Sequence, residues 1–379
     1  MNTFRLLVLY LCACCFLNPV FSQTVTEFIT HDDLSRSYRL HLPPGYSDGA
    51  SLPLVFNLHG LNSNASEQEF YSQMNAVADT ANFIVCYAQG VNAQWNVGWA
   101  FNEDTDDVGF INAIIDTLHE HYNIDLNRVY SCGMSNGGFM SYRLACELTD
   151  RIAAIASVTG SMAPGIPEQC TPSRQIPVMQ IHGTADPIVP YLGSLTNIPI
   201  EDLVSFWVNF NGCTGSPVIT EVPNTVLTDM CTAERIDYTG CAEDNEVAFY
   251  RVLGGVHTWP GAPINIGVTN QDFDASVEIW RFFNRFQLDI ESAVGDANQP
   301  DLSVIAAPNP FVENLALHLP QGGLRSLKVY NAQGKVVFAT TKIMDSIYQI
   351  DTHSWANGLY IIHWETGQGK ASMKVIKGN

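Results

Sequence analysis

Hydrophobic and polar positions alternate with a period of two over 24–30 and again over 37–42, before Pro43-Pro44-Gly45-Tyr46 interrupts them. Two alternating runs of this kind predict an antiparallel hairpin. The pattern then changes. Leu54-Val55-Phe56-Asn57-Leu58 is almost wholly apolar, the mark of a strand covered on both faces. Similar short runs recur over 83–87, 129–132, 152–158, 177–181 and 247–252. Between them lie segments with helical spacing: 66–80, 108–121, 139–146, 202–210 and 275–286. In the second of these Phe110, Ile111, Ile114, Ile115 and Leu118 fall on one face, and Asp106 or Asp107 stands where an N-cap belongs. Strand and helix alternating through the first 180 or so residues predict an α/β sandwich around a mostly parallel sheet. Residues 213–245 read as a strand pair with long turns, and 303–379 as short strands separated by turn dipeptides, a small all-β sandwich.

Length and charge sharpen this division. A chain of 379 residues is long for one domain, and 46% hydrophobic with 11% aromatic residues is ample for packed cores. Residues 23–302 hold ten Arg, no Lys and 34 acidic residues, whereas 303–379 hold six Lys, one Arg and four acidic residues. A change from all-Arg to nearly all-Lys usage argues for two independently constrained modules, with 288–302, polar and acidic, as the linker. Residues 1–22 read as a secretory signal: Arg5, an apolar run over 6–17, and Val20-Phe21-Ser22 before Gln23. That run is too short for a membrane anchor, and no other segment could span a bilayer. The expected organisation is therefore a signal over 1–22, an α/β domain over 23–287, a linker over 288–302 and a β domain over 303–379. A strongly acidic main domain excludes nucleic acid as the default partner and suits an extracellular location. Export permits disulfides. Cys213 and Cys241 flank a polar excursion and form the expected pair, with Cys146 and Cys170 a second pairing; Cys86 and Cys132, in apolar strands, are expected as buried thiols, and Cys231 is left over.

The chemistry centres on Gly133-Met134-Ser135-Asn136-Gly137, which follows a strand and opens a helix. A serine on a sharp strand-to-helix turn presents its hydroxyl above the sheet, and glycines two before and two after allow the close approach that this turn requires. The bland alternative is a glycine turn, so the other members of a triad decide. A serine hydroxyl needs a base, and the base needs a carboxylate to hold its tautomer. On this fold they follow the nucleophile in the order acid, then histidine. Of ten histidines, five precede Ser135 and three lie in the second module, leaving His182 and His257. His182 is crowded against a strand end and reads as structural; His257, in the glycine-rich Gly254-Gly255-Val256-His257 loop, has room to reach Ser135. Asp186 is the matching acid, ahead of Glu201 and Asp202, which read as the start of a helix. The backbone N–H of Asn136 and that of Leu61, after His59-Gly60, are the expected oxyanion donors. Trp259, Trp95 and Trp99 are the expected substrate-binding walls, with no cationic residue beside them. No nucleotide loop, dinucleotide fingerprint or metal-spaced set occurs, so neither cofactor nor metal is expected.

Leu58-His59-Gly60, Asp106-Asp107-Val108-Gly109-Phe110, the Ser135 pentapeptide with Gly138, His182-Gly183-Thr184-Ala185-Asp186 and His257-Thr258-Trp259-Pro260-Gly261 together resemble the polyhydroxybutyrate depolymerase and feruloyl/acetyl xylan esterase family of α/β-hydrolases. The resemblance covers about 25–287 and implies a serine carboxylesterase with Ser135 as nucleophile, Asp186 as acid and His257 as base. Its substrates would be ester-bearing polysaccharides or polyhydroxyalkanoate polyesters. Many members carry cysteine after His-Gly; Leu61 stands here, and a backbone donor survives that change. A serine peptidase shares such a triad, and a non-catalytic polysaccharide-binding protein could share the scaffold, but no triad member is missing. Residues 303–379 resemble the C-terminal sorting domain of the type IX secretion system of Bacteroidetes, through Pro308-Asn309-Pro310, Val329-Tyr330-Asn331-Ala332-Gln333-Gly334-Lys335, Gly358-Leu359-Tyr360 and Lys374-Val375-Ile376-Lys377. This implies the type IX machinery as a partner. A carbohydrate-binding module is the competing reading, with Trp355, Tyr360 and Trp364 as its aromatic row. If the modules are independent, a chain ending near Asn298 keeps full activity on soluble esters. Unfolding or inactivation on that truncation would place the boundary elsewhere.

Overall fold

The computed structural model describes residues 22–47, 51–99, 101–102, 104–288, 304–308, 310–319, 323–331, 334–366 and 370–378. Apart from residue 22, the expected signal lies outside them, as does nearly all of the expected linker. The chain divides into two compact units, Met1–Ile290 and Glu291–Asn379.

The first unit is built on one ten-stranded sheet. Its strands, in chain order, are β1 (Gln23–His31), β2 (Leu34–Leu42), β3 (Leu52–Leu58), β4 (Ile84–Ala88), β5 (Ile124–Met134), β6 (Ala154–Val158), β7 (Val178–Gly183), β8 (Val218–Glu221), β9 (Thr232–Tyr238) and β10 (Val247–Leu253). They lie in the order β1-β2-β4-β3-β5-β6-β7-β10-β9-β8. The six from β4 to β10 run parallel, and an antiparallel pair closes each edge. Every residue of β3, β4, β6 and β7 is buried, as continuous apolar runs require when helices cover both faces. One face packs on α3 (Asp107–Tyr122), α4 (Asn136–Glu147) and α5 (Ile200–Phe210), the other on α1 (Ala65–Ser72), α2 (Met74–Ala81) and α6 (Ala275–Phe283).

Two elements differ from their sequence patterns. The single helix expected over 66–80 is two, because Gln73 takes a left-handed conformation (φ 54°, ψ 23°) between α1 and α2. The break leaves the Ser72 carbonyl free to accept the Ser276 hydroxyl at 2.6 Å. Strand β5 begins five residues before its apolar run, at Ile124, because its first half carries Asp125, Asn127 and Arg128 and so lacks the pattern of a covered strand. Asp106 is the N-cap of α3, accepting the Gly109 N–H at 2.8 Å, whereas Asp107 is turned into the core.

The disulfides Cys213–Cys241 and Cys146–Cys170 are both formed, and Cys86, Cys132 and Cys231 are buried free thiols. Among the described residues no helix is long and apolar enough to cross a membrane.

The second unit contains β11 (Ile305–Ala307), β12 (Asn314–His318), β13 (Leu324–Asn331), β14 (Val336–Ile343), β15 (Ile347–Asp351), β16 (Gly358–Glu365) and β17 (Lys370–Lys377). They form two antiparallel sheets, β11-β12-β15 and β14-β13-β16-β17, around one core. Tyr360 and Trp364 are buried in that core and Trp355 is packed against it, so alternation places them inside rather than in an exposed row.

Asp107 and Arg36 make a fully buried ion pair (2.7 Å), with the guanidinium 3.8 Å over the Phe110 ring. Asp107 also accepts the Asn96 N–H (2.7 Å) and the Thr105 hydroxyl (3.1 Å), so it anchors the loop between β4 and α3. Asp107→Ala leaves the arginine charge uncompensated and should lower unfolding stability by about 3–5 kcal/mol, whereas Arg36→Met with Asp107→Leu should recover most of it. Chemical denaturation checks both; an unchanged single variant would remove the pair from the anchoring role.

Candidate active site

Strands β3 and β5 end side by side, with Leu58 in register with Gly133. At the end of β5 the chain turns into α4 through Ser135, whose backbone sits at φ 54°, ψ −121°, a conformation that a non-glycine residue holds only under constraint. Two bonds supply it: the Ser135 N–H donates to the Val158 carbonyl at 2.8 Å, and the Ser135 carbonyl accepts the Phe139 N–H at 2.9 Å. A methyl group on Gly137 would stand 2.1 Å from the Leu58 oxygen, and one on Gly133 2.6 Å from the Gly137 carbonyl carbon. Only glycine fits at either position. Asn136 is the first residue of α4, where a backbone N–H has no partner within the helix.

The turn after β7 presents Asp186. Its Oδ1 accepts the N–H groups of Ile188 (2.8 Å) and Val189 (2.9 Å), leaving Oδ2 for His257 Nδ1 at 2.8 Å. The Asp186 side chain is fully buried, while His257 keeps an accessible edge. That pairing makes His257 Nε2 the free acceptor, and His257 and Ser135 line the same cavity. His182 lies behind them. It donates Nε2–H to the Val189 carbonyl (2.9 Å) and takes the Gln180 amide on Nδ1 (3.0 Å), which holds it neutral and braces the Asp186 turn. Complete burial pushes its pKa down to about 4.

The segment after β3 is equally fixed. His59 Nδ1 donates to the Gly60 carbonyl at 2.8 Å, and the same oxygen accepts the Ser63 N–H at 3.2 Å. His59 Nε2 accepts the Gly90 N–H at 3.0 Å; burial lowers the pKa of the ring and favours this neutral tautomer. Because a peptide is planar, holding the Gly60 C=O to one side sends the Leu61 N–H to the other. Leu61 lines the cavity.

The cavity has a volume of ≈ 810 Å³ and is walled by Leu61, Phe70, Tyr71, Met134, Ile264 and Ile266, with Glu67 as its one acidic lining residue and no lysine or arginine in the lining. The three tryptophans expected there are elsewhere. Trp259 is fully buried, donating Nε1–H to the Ser276 hydroxyl at 3.2 Å. Trp95 is fully buried, donating Nε1–H to the His59 carbonyl at 3.0 Å. Trp99 is half-buried, edge-on to Phe139, with its Nε1–H on the Thr196 carbonyl at 2.7 Å. Complete burial leaves Trp95 and Trp259 no face to offer a substrate, and Trp99 lies outside the cavity lining. Phe70 and Tyr71 replace them as the aromatic wall; α1 gave no signal for this, since an exposed Phe on a short helix looks like any surface residue. Glu201, the runner-up acid, instead pairs with Arg251 at 3.0 Å. Among the described residues, one cluster could share a metal ion, His31, Asp32 and Asp106; both carboxylates are exposed, and Asp106 is engaged as an N-cap.

Fold and site together define an α/β-hydrolase of the serine type. The family model for the PHB depolymerase esterases matches residues 36–191, and that for the secretion system C-terminal sorting domain matches 306–378. The feruloyl esterase D of Neurospora crassa is 30% identical over 70% of this chain and 86% of its own length. The feruloyl esterase B of Piromyces equi is 34% identical over 48% of this chain, which spans only 37% of that relative. The acetyl xylan esterase of Aspergillus awamori shares the fold, with a TM-score of 0.51 at 15% identity, over 69% of this chain and 99% of that one. The chain belongs to the PHB depolymerase esterase family, and it is a serine carboxylic ester hydrolase. It carries a type IX sorting domain and is an extracellular or cell-surface protein.

The His182 environment has a consequence for stability. The unfolded state binds a proton near pH 6.5 that the folded state refuses until about pH 4, so stability rises with pH across that window. The swing should be on the order of 3 kcal/mol, and His59, shifted in the same direction, adds to it. His182→Gln keeps a donor for the Val189 carbonyl but cannot titrate. Denaturation at pH 5 and 8 should show a smaller difference for this variant; an equal difference would assign the slope to other groups.

Proposed function

We propose that the enzyme hydrolyses esters of bulky aromatic acids, of the feruloyl type, attached to plant polysaccharides. Ser135 Oγ attacks the ester carbonyl and passes its proton to His257 Nε2, while Asp186 holds the imidazole and the resulting imidazolium. The N–H groups of Asn136 and Leu61 receive the oxyanion. Collapse expels the sugar alcohol, protonated by His257, and water then repeats the sequence on the acyl-enzyme to release the acid. The triad reading is supported by the strained serine, the 2.8 Å His257–Asp186 contact and the shared cavity.

The acyl preference rests on the cavity. A volume of ≈ 810 Å³ far exceeds what an acetyl group fills, and Phe70, Tyr71, Ile264 and Ile266 offer flat and branched apolar surface. Glu67, with no cationic residue in the lining, disfavours an acyl group that itself carries a negative charge. The feruloyl esterases of Neurospora crassa and Piromyces equi agree with this choice. A polyhydroxybutyrate chain is the competing substrate, because Leu61, Phe70, Ile264 and Ile266 are also exposed at the mouth, where a flexible polyester could lie.

One panel separates these readings: methyl ferulate, p-nitrophenyl acetate, acetylated xylan and polyhydroxybutyrate. Ser135→Ala should lose about 10⁴-fold or more on every ester that is turned over. Phe70→Ala should raise KM for methyl ferulate about tenfold or more, the usual worth of an apolar pocket contact, while changing that for p-nitrophenyl acetate little. Phe70 is more than half exposed, so the variant should fold normally. Faster turnover of acetylated xylan or polyhydroxybutyrate than of methyl ferulate would overturn the aromatic assignment.

A further inference from the structure

Between β4 and α3 the chain runs beside the site, and two of its residues hold both halves of the proposed oxyanion hole. Ala93 and Trp95 grip the segment after β3 at two points. The Ala93 carbonyl accepts the Asn62 N–H at 2.8 Å, and the Trp95 indole N–H donates to the His59 carbonyl at 3.0 Å. These two contacts bracket Gly60 and Leu61. Trp95 also grips the elbow: its backbone N–H donates to Asn136 Oδ1 at 2.7 Å, and its carbonyl accepts from Asn136 Nδ2 at 3.2 Å. The indole lies against the His59 ring, with centroids 5.1 Å apart. Trp95 and Asn136 have no exposed surface, so the bonds between these two residues do not compete with water. The loop accepts backbone strain to do this, with Asn92 at φ 48° and Ala93 at φ 59°.

We infer that Trp95 and the Asn136 side chain are positioning residues for catalysis, which fix the spacing between the Leu61 and Asn136 N–H groups before substrate arrives. The inference rests on the proposed assignment of those two N–H groups as oxyanion donors. The two donors follow strands β3 and β5, which pair through the backbone only up to Leu58 and Gly133. Beyond that point each segment leaves the sheet separately, and the bridge through residue 95 ties one to the other. A preorganised pair of donors stabilises the developing oxyanion without reorganising during the reaction, and a displacement of about 1 Å can cost about a hundredfold in rate. Asn136 thus has two roles: its backbone N–H faces the substrate, while its side chain anchors that N–H from behind.

Trp95→Phe removes the bond to the His59 carbonyl and keeps a ring of similar shape. Asn136→Ala removes both side-chain bonds and keeps the backbone N–H. Each should lower kcat on p-nitrophenyl acetate about tenfold to a hundredfold, with KM changed less than about twofold. An aryl boronic acid, whose tetrahedral adduct on serine carries an anionic oxygen, should lose affinity in proportion to kcat/KM, while inhibition by the neutral amide of the product acid should not change. The double variant should fall well short of the product of the single effects, because both act on one spacing. Ser135→Ala serves as the reference: activity surviving that change overturns the serine reading itself, not the bridge alone. With Ser135→Ala inactive, kcat within about twofold of wild type in both variants overturns the inference. So does a KM increase at constant kcat, which would return Trp95 to a substrate wall, and so does an equal loss of boronate and amide binding. If Trp95→Phe does not fold, Asn136→Ala decides by the same measurements.

Discussion

The approach of the Leu58 carbonyl to the elbow is the constraint from which the rest of the site follows. Strands β3 and β5 are parallel neighbours, so their carboxyl ends emerge on the same edge of the sheet, and the register of Leu58 with Gly133 brings the two departing turns together. With the Leu58 oxygen 2.1 Å from where a Gly137 methyl group would stand, the elbow can lie against β3 only without side chains there. That contact leaves Ser135 little freedom, and the serine keeps a positive φ because its N–H and carbonyl are both committed to neighbours. Gly60 lies beside the same turn, where a methyl group would meet Ser135 Cβ at 3.4 Å, an ordinary packing contact. Ser135 is therefore set by backbone packing before any side-chain contact is considered.

Side-chain hydrogen bonds then fix what backbone packing leaves free. Three histidines divide this labour by burial. His257 keeps an exposed edge and one uncommitted nitrogen, whereas His182 and His59 are wholly buried with both nitrogens engaged. Removal from water lowers the pKa of the two buried rings and keeps them neutral, so each can donate from one nitrogen and accept on the other. The loop after β4 plays the same bracing part on a larger scale. It is anchored at one end by the buried Asp107 carboxylate and meets the elbow at Trp95.

The parts of this arrangement that the sequence reveals are those with a local cause. Covered strands, the elbow glycines and the order of Ser135, Asp186 and His257 are each written in short stretches, because strand burial and turn geometry act over a few residues. His182 was also separable from His257 by position, since a histidine still inside a strand run has no room to swing. What escaped notice was set by contacts distant in sequence. Trp95 meets His59 and Asn136 across 36 and 41 residues, and nothing near position 95 announces where its indole points. Position beside the catalytic loop and a neighbouring strand end suggests a binding wall for the tryptophans, but Trp95 and Trp259 are wholly buried with their N–H groups bonded within the protein. Phe70 and Tyr71 line the cavity from α1, whose last residue, Ser72, meets the Ser276 hydroxyl some two hundred residues away. The polar first half of β5 was hidden for a simpler reason, that pairing with β3 is a property of the backbone and not of the side chains.

The charge of the first unit bears on the proposed reaction more directly than on the fold. Ester hydrolysis begins with a neutral substrate and ends with a carboxylate, because a product acid with an ordinary pKa near 4 ionises at once in neutral solution. Within the cavity that carboxylate meets Glu67 and no lysine or arginine. Surface charges farther away are screened over about 8–10 Å, so the overall acidity contributes little at the reacting centre. Glu67 lines the cavity itself but is exposed, so solvent damps its repulsion as well and its effect on the departing carboxylate is modest. The substrate feels none of this repulsion until the ester is broken, so the charge acts on the product and not on binding. An acidic residue at the pocket rim thus favours departure of the ionised product from a cavity whose entry depends on apolar contact, and leaves the equilibrium of the reaction untouched.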